Sequence, residues 1–261
     1  MEHSKVIVLI RGLMRDSRHW AGFDNMLRSK DVRVITVDVP GSGRLHHLPS
    51  PTSLQSYCPH LWQQVEAQLE ADFGMDRAQH ISVHLVGLSM GGMLALLLAQ
   101  YRPARVSKVS VINSSAANLS PWYQRFKFSG LLSALTHNWV SSIKVPSHIA
   151  HFSRLEAYTL ALVSHQHQHD VKLVEQWSRY RRRNTTSMGN GARQLYASAK
   201  FVAPAIECPV QVIVANNDKL VSANCSYALA QFYQAPLEEI SDCGHDASLD
   251  YPNEVAQRLL N

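Results

Sequence analysis

The chain has 261 residues, 46% of them hydrophobic and 17% charged, a composition that fits one large α/β domain with a buried core rather than a disordered chain. The early apolar run Val6 to Ile10 is far too short to span a bilayer and is followed by Arg11, Arg15 and Arg18, so neither a membrane span nor a secretory signal is expected and the cytoplasm is the expected location. The formal charge of +5 is uneven: residues 119 to 200 hold 11 of the 25 Lys and Arg but 3 of the 20 Asp and Glu, which leaves +8 there and −3 in the rest of the chain.

In chain order, short β-branched runs alternate with amphipathic stretches. Val6 to Ile10 predicts a strand, Trp20 to Ser29 a helix, Val32 to Val37 a strand, and Leu54 to Phe73 a long helix. Ile81 to Gly87 reads as a strand buried on both faces. Gly91 to Tyr101 reads as a helix stopped before Pro103, and Val106 to Asn113 as another strand. The rhythm returns with a strand at Val210 to Ala215, a helix near Asn224 to Tyr233, a short strand at Leu237 to Ile240 and a last helix near Pro252 to Leu260. This repetition predicts a mostly parallel central sheet flanked by helices on both faces.

Between these halves the periodicity is helical and rich in basic and aromatic residues, with Trp122, Trp139 and Trp177. It predicts a helical cap insertion over residues 116–204, with 1–115 and 205–261 forming the core. Cys58, Cys208, Cys225 and Cys243 lack CxxC spacing and read as free thiols. His165, His167 and His169 alternate, which on a helix would bring only His165 and His169 to one face. A polar surface turn is expected there, and no metal.

Chemistry enters at "HLVGLSMGGML", His84 to Leu94. A serine on a sharp strand-to-helix turn needs an unusual backbone, and the residues two before and two after it then crowd one another. Gly87 and Gly91 flank Ser89 at those positions, and Gly92 clears the helix start for packing on the sheet. The turn sets the hydroxyl at a strand's carboxyl end and a helix's N-terminus, where amides favour developing negative charge.

With its strand and helix context, this stretch resembles the nucleophile elbow of the α/β-hydrolase superfamily, and the resemblance runs over the whole chain apart from the insertion. It implies a general base oriented by a carboxylate, in the order Ser, acid, His. Asp218 follows the strand Val210 to Ala215, and His245 stands in "DCGHDASLDYP" between the last strand and the last helix. Asp246 or Asp250 would start or cap that helix, and Asp38 in "VDVPGSG" would be a turn residue. The resemblance also implies an oxyanion hole from the amides of Met90 and Leu13, the second in "LIRGLMRDSRHW", where Gly12 lets the backbone approach. Arg11 stands where the family usually has histidine. It either braces the loop through carbonyls or a carboxylate, or contacts an anion.

The implied activity is a cofactor-free serine hydrolase, most simply a carboxylesterase acting through an acyl-enzyme. A lyase or a carbon–carbon hydrolase on the same residues, and a non-catalytic binding member, are the other classes. The expected partner is a small-molecule acyl substrate. Trp122, Phe126, Phe128, Leu131, Leu132 and Trp139 could line its pocket, as could Arg11 and Gly12, or the aromatic residues could be the insertion's own core. The run "RYRRR", Arg179 to Arg183, is a solvated face or polar loop, or it recognises an anionic carrier such as coenzyme A or acyl carrier protein. The superfamily includes esterases acting on such carriers. No nucleic-acid motif accompanies the basic charge.

Overall fold

Strands rich in Val and Ile that bury both faces need cover on both sides, and the chain supplies it. The computed structural model describes residues 5–127, 150–184 and 186–261. Its sheet has six parallel strands: β1 (Val6–Ile10), β2 (Arg33–Val37), β3 (Val83–Leu88), β4 (Val106–Ile112), β5 (Val210–Ala215) and β6 (Leu237–Ile240), in the spatial order β2-β1-β3-β4-β5-β6. Alternation along β1 shows the two-sided burial directly. Val6, Val8 and Ile10 join one apolar core while Ile7 and Leu9 join the other.

The helices are α1 (Phe23–Arg28), α2 (Cys58–Phe73), α3 (Met75–Ala78) and α4 (Met90–Tyr101), then α5 (Trp122–Arg125), α6 (Ala150–Val163), α7 (Val171–Arg183) and α8 (Met188–Ala199) between β4 and β5. α9 (Ala223–Tyr233), α10 (Ala247–Asp250) and α11 (Pro252–Leu260) complete the fold. Three boundaries differ from the sequence expectation by two residues or more. The helix expected over Trp20 to Ser29 is split, because Ala21 and Gly22 take φ values of 52° and 90° and separate a 3₁₀ turn at Ser17–Trp20 from α1. The first turn of the long helix, Leu54–Tyr57, is also 3₁₀, and the α-helix begins where Pro59 sets φ in its first turn. The β3 strand starts at Val83, because the Ile81 amide closes a turn onto Ala78.

The elements between β4 and β5 carry a core of their own, in which Ala157, Leu160 and Val163 of α6 pack on Leu173, Val174 and Trp177 of α7. His165, His167 and His169 lie in the turn joining those two helices. Chain order reverses direction across the sheet between β1 and β3, the place where α/β sheets open a crevice at the carboxyl ends of their strands. Among the described residues, no helix is long and apolar enough to cross a membrane.

Candidate active site

Ser89 sits between β3 and α4 at φ 59° and ψ −122°, a conformation rarely adopted by a side-chain-bearing residue. Its amide donates to Ile112 O at 2.8 Å, and Ser114 Oγ donates to its carbonyl at 2.8 Å. The flanking glycines are sterically required. A Cβ on Gly87 would lie 2.1 Å from Gly91 O, and one on Gly91 would lie 2.1 Å from Ile10 O. Gly12 is pressed against the same turn, since its Cβ would meet Ser89 Cβ at 3.0 Å. Among the described residues no hydrogen bond uses the amide of Leu13 or of Met90, and both residues line the cavity with Ser89.

Asp218, in the loop after β5, is buried. One of its carboxylate oxygens accepts from the amides of Leu220 and Val221 at 2.7 and 2.9 Å, and the other meets His245 Nδ1 at 2.6 Å. That contact requires a proton on Nδ1 and leaves the lone pair of a neutral ring on Nε2. Ser89 and His245 line one cavity of about 370 Å³, and no hydrogen bond joins their side chains in this conformation. Such contacts commonly tighten only when substrate arrives.

The base loop has supports that the sequence reading missed. Asn113, at the end of β4 with φ 48°, donates to His245 O and accepts from Ala215 N, both at 2.8 Å. Asp250 is not a helix cap, because its carboxylate accepts from Gly244 N, His165 N and Ser164 Oγ and so ties the base loop to the end of α6. An asparagine closing a buried strand was the available signal for the first. For the second there was none, because its partners on α6 and the turn after it lie about 85 positions away. Asp38 does hold a turn, accepting from the amides of Ser17 and Arg44.

Arg11 lines the cavity and also braces the loop through a carboxylate. It is 4% exposed and gives both guanidinium ends to Asp246, 1% exposed, at 2.5 and 3.2 Å, while stacking 4.7 Å over Trp20. Against the upward push of burial, this cation and the Ser248 hydroxyl hold the Asp246 carboxyl below its usual range. Asp246 therefore binds Arg11 rather than capping α10. Because Arg11 precedes Gly12 and Asp246 follows His245, the pair clasps the β1 loop to the base loop.

Trp122 is corrected: it is 68% exposed, stands edge-on to Tyr123 and lies outside the cavity wall. α5 ends at Arg125, and the extended backbone of Phe126 turns that ring, not the tryptophan, onto the cavity. Phe128, Leu131, Leu132 and Trp139 lie outside the described residues. The run Arg179 to Arg183 is neither a loop nor a uniform solvated face. It ends α7, with Arg179 paired outward to Glu175 and Arg181 turned inward to buried Glu156 at 2.5 Å.

A proline iminopeptidase of Lactobacillus delbrueckii subsp. bulgaricus is 25% identical over 66% of this chain, and the chain spans 56% of that relative's length. The 3-oxoadipate enol-lactonase 1 of Acinetobacter baylyi is 25% identical over 98% of this chain and 87% of its own. Among solved structures, a hydrolase from Pseudomonas aeruginosa PA01 superposes with a TM-score of 0.71 at 18% identity, covering 100% of this chain and 90% of that one. The alpha/beta hydrolase family matches residues 7–258, and with the parallel sheet and its crevice already described, the chain belongs to that family.

Proposed function

We propose that the chain is a serine hydrolase cleaving an ester or thioester, most simply a carboxylesterase, with Ser89 as nucleophile, His245 as general base and Asp218 orienting the ring. The observation that carries this reading is the buried 2.6 Å contact between Asp218 and His245 Nδ1 at the cavity that Ser89 also lines. It frees Nε2 to take the hydroxyl proton, stabilises the imidazolium that follows, and lets Nε2 return the proton to the leaving alcohol or thiol. The amides of Leu13 and Met90 would receive the oxyanion. Water then attacks the acyl-Ser89 carbonyl, with His245 again taking the proton, and releases the acid. The lactonase relative supports an ester, since a lactone is a cyclic ester.

In this reading residues 116–204 form the cap that shapes the acyl pocket, with Phe126, Leu162 and Leu195 on its wall. The free thiols of Cys58, Cys208, Cys225 and Cys243 favour a reducing compartment, the cytoplasm. The test is hydrolysis of nitrophenyl acetate, butyrate and octanoate by wild type and Ser89→Ala. Turnover in the variant should fall by roughly 10⁴ to 10⁶, with the fold retained by circular dichroism. Equal turnover by well-folded Ser89→Ala would overturn the reading.

A further inference from the structure

The last carbonyls of a helix have no partners inside the helix. At the end of α6 two of those partners come from the loops that carry the acid and the base. Lys219 Nζ, next to Asp218, donates to Ala161 O at 3.0 Å, and the amide of Asp246, next to His245, donates to Val163 O at 2.8 Å. The same end of α6 forms part of the cavity wall, through Thr159, Leu162 and Val163.

The base loop lies directly on that helix end. A Cβ on Gly244, the residue before His245, would stand 2.8 Å from both Val163 O and His165 N, so any larger residue there must move one backbone or the other. Asp250 closes the contact. Its carboxylate is buried and takes four donors: one oxygen accepts from Gly244 N at 2.7 Å and His165 N at 2.8 Å, the other from Ser164 Oγ at 2.5 Å and Gln166 N at 3.4 Å. A carboxylate beside a helix C-terminus faces the unfavourable end of the dipole. What offsets that cost is a single oxygen joining two amides from distant segments, one before the base and one after α6.

Ser89 is placed differently. Its amide and carbonyl are bonded to Ile112 and Ser114 at the end of β4, so the sheet sets the nucleophile. His245 has one support on the sheet side, Asn113 Nδ2 on its carbonyl, and the other on α6, through Gly244 and Asp246.

We propose that Asp250 is a positioning residue for the general base: by bonding Gly244 to the end of α6 it fixes where His245 stands beside the cavity, and it sets the base together with the wall that receives the acyl group. The inference rests on the Ser89 reading and adds to it the group that keeps the base in register. A general base contributes roughly 10² to 10⁴ in rate, and only within hydrogen-bond reach of the proton it takes. A misplacement of about 1 Å costs roughly 10²-fold. Asp250 acts through place alone, since it is not part of the cavity wall.

The test measures kcat and KM for nitrophenyl butyrate, with kcat expressed per active site titrated to completion by a fluorophosphonate. A merely structural role would lower the titrated fraction and leave kcat per site alone. Asp250→Ala removes the acceptor of Gly244 N and His165 N, so kcat per site should fall about tenfold to a hundredfold while KM stays within about twofold. Asp250→Asn keeps one oxygen for the two amides, and its NH2 can donate to Ser164 Oγ, so it should recover most of the loss. Gly244→Ala presses the two backbones apart and should reproduce the kcat loss with Asp250 intact. The proposal is overturned if folded Asp250→Ala keeps the wild-type kcat per site, if its loss falls on KM instead, or if Asp250→Asn is equally impaired. Should Asp250→Ala not fold, Gly244→Ala decides, and a wild-type kcat per site in that variant overturns the proposal. Ser89→Ala separates the two readings. Turnover there at the wild-type rate removes the nucleophile and this proposal with it, whereas an inactive Ser89→Ala beside a fully active Asp250→Ala removes the positioning role alone.

Discussion

Two buried arginines on the loop after β1, four residues apart, are held in opposite ways. Arg11 meets one carboxylate with both ends of its fork and is electrically complete. Arg15 shares one carboxylate with Arg181, while Arg11 Nε and Arg15 Nη2 are both buried without a hydrogen-bond partner. Both guanidiniums stack on a tryptophan, Trp20 and Trp177 respectively, so packing does not separate them; charge balance does. A matched buried pair fixes the chain, because breaking it strands a charge. The family's usual histidine position is the one that received the brace.

The largest expected effect comes from breaking the matched pair. Arg11→Met strands Asp246 at 1% exposure and should cost about 3–5 kcal/mol in urea unfolding, whereas the double change Arg11→Met with Asp246→Leu should recover much of that loss. Arg15→Met leaves Glu156 paired to Arg181, so the loss should be smaller, about 1.5–3 kcal/mol, the scale of one charged hydrogen bond. Equal costs for the two single substitutions would erase the distinction.

A smaller effect follows from Glu156. Burial pushes its carboxyl up, but the charges of Arg15 and Arg181 outweigh that and pull it from 4.5 to about 2. Between those values the unfolded chain binds more protons than the folded one. The stabilisation from Glu156 is therefore complete above about pH 4.5 and is lost as pH falls toward 2. Urea midpoints at pH 5.5, 4 and 3 should drop for wild type, and the slope should flatten in Glu156→Gln. An unchanged slope would show that the carboxylate is not held by the two cations.

The contrast also marks how far the sequence could be read. Strands buried on both faces announce themselves as β-branched runs, and Ser89, Asp218 and His245 stand out because each follows a strand within a local pattern. Arg11 and Arg15 carry no such signal. Their partners lie 235 and 141 positions away, and the same residue type in the same loop takes a carboxylate to itself or shares one only through tertiary contacts. Trp122 shows a related limit: the sequence offers it for the pocket wall or for the insertion's own core, but α5 stops after one turn and the chain extends at Phe126. The run at Arg179 to Arg183 looks uniform in sequence, yet only the fold sends Arg181 inward to Glu156.

Both arginines line the cavity that Ser89 also lines, and the direct measurement of reaction at Ser89 is covalent labelling by a fluorophosphonate, located by intact mass and peptide mapping. The account predicts a single phosphonyl adduct on Ser89 in wild type and a labelling rate lowered by roughly 10³ or more in His245→Gln, because the hydroxyl then lacks its base. A folded wild-type protein that is not labelled, that is labelled elsewhere, or that is labelled at Ser89 as fast without His245 would contradict it.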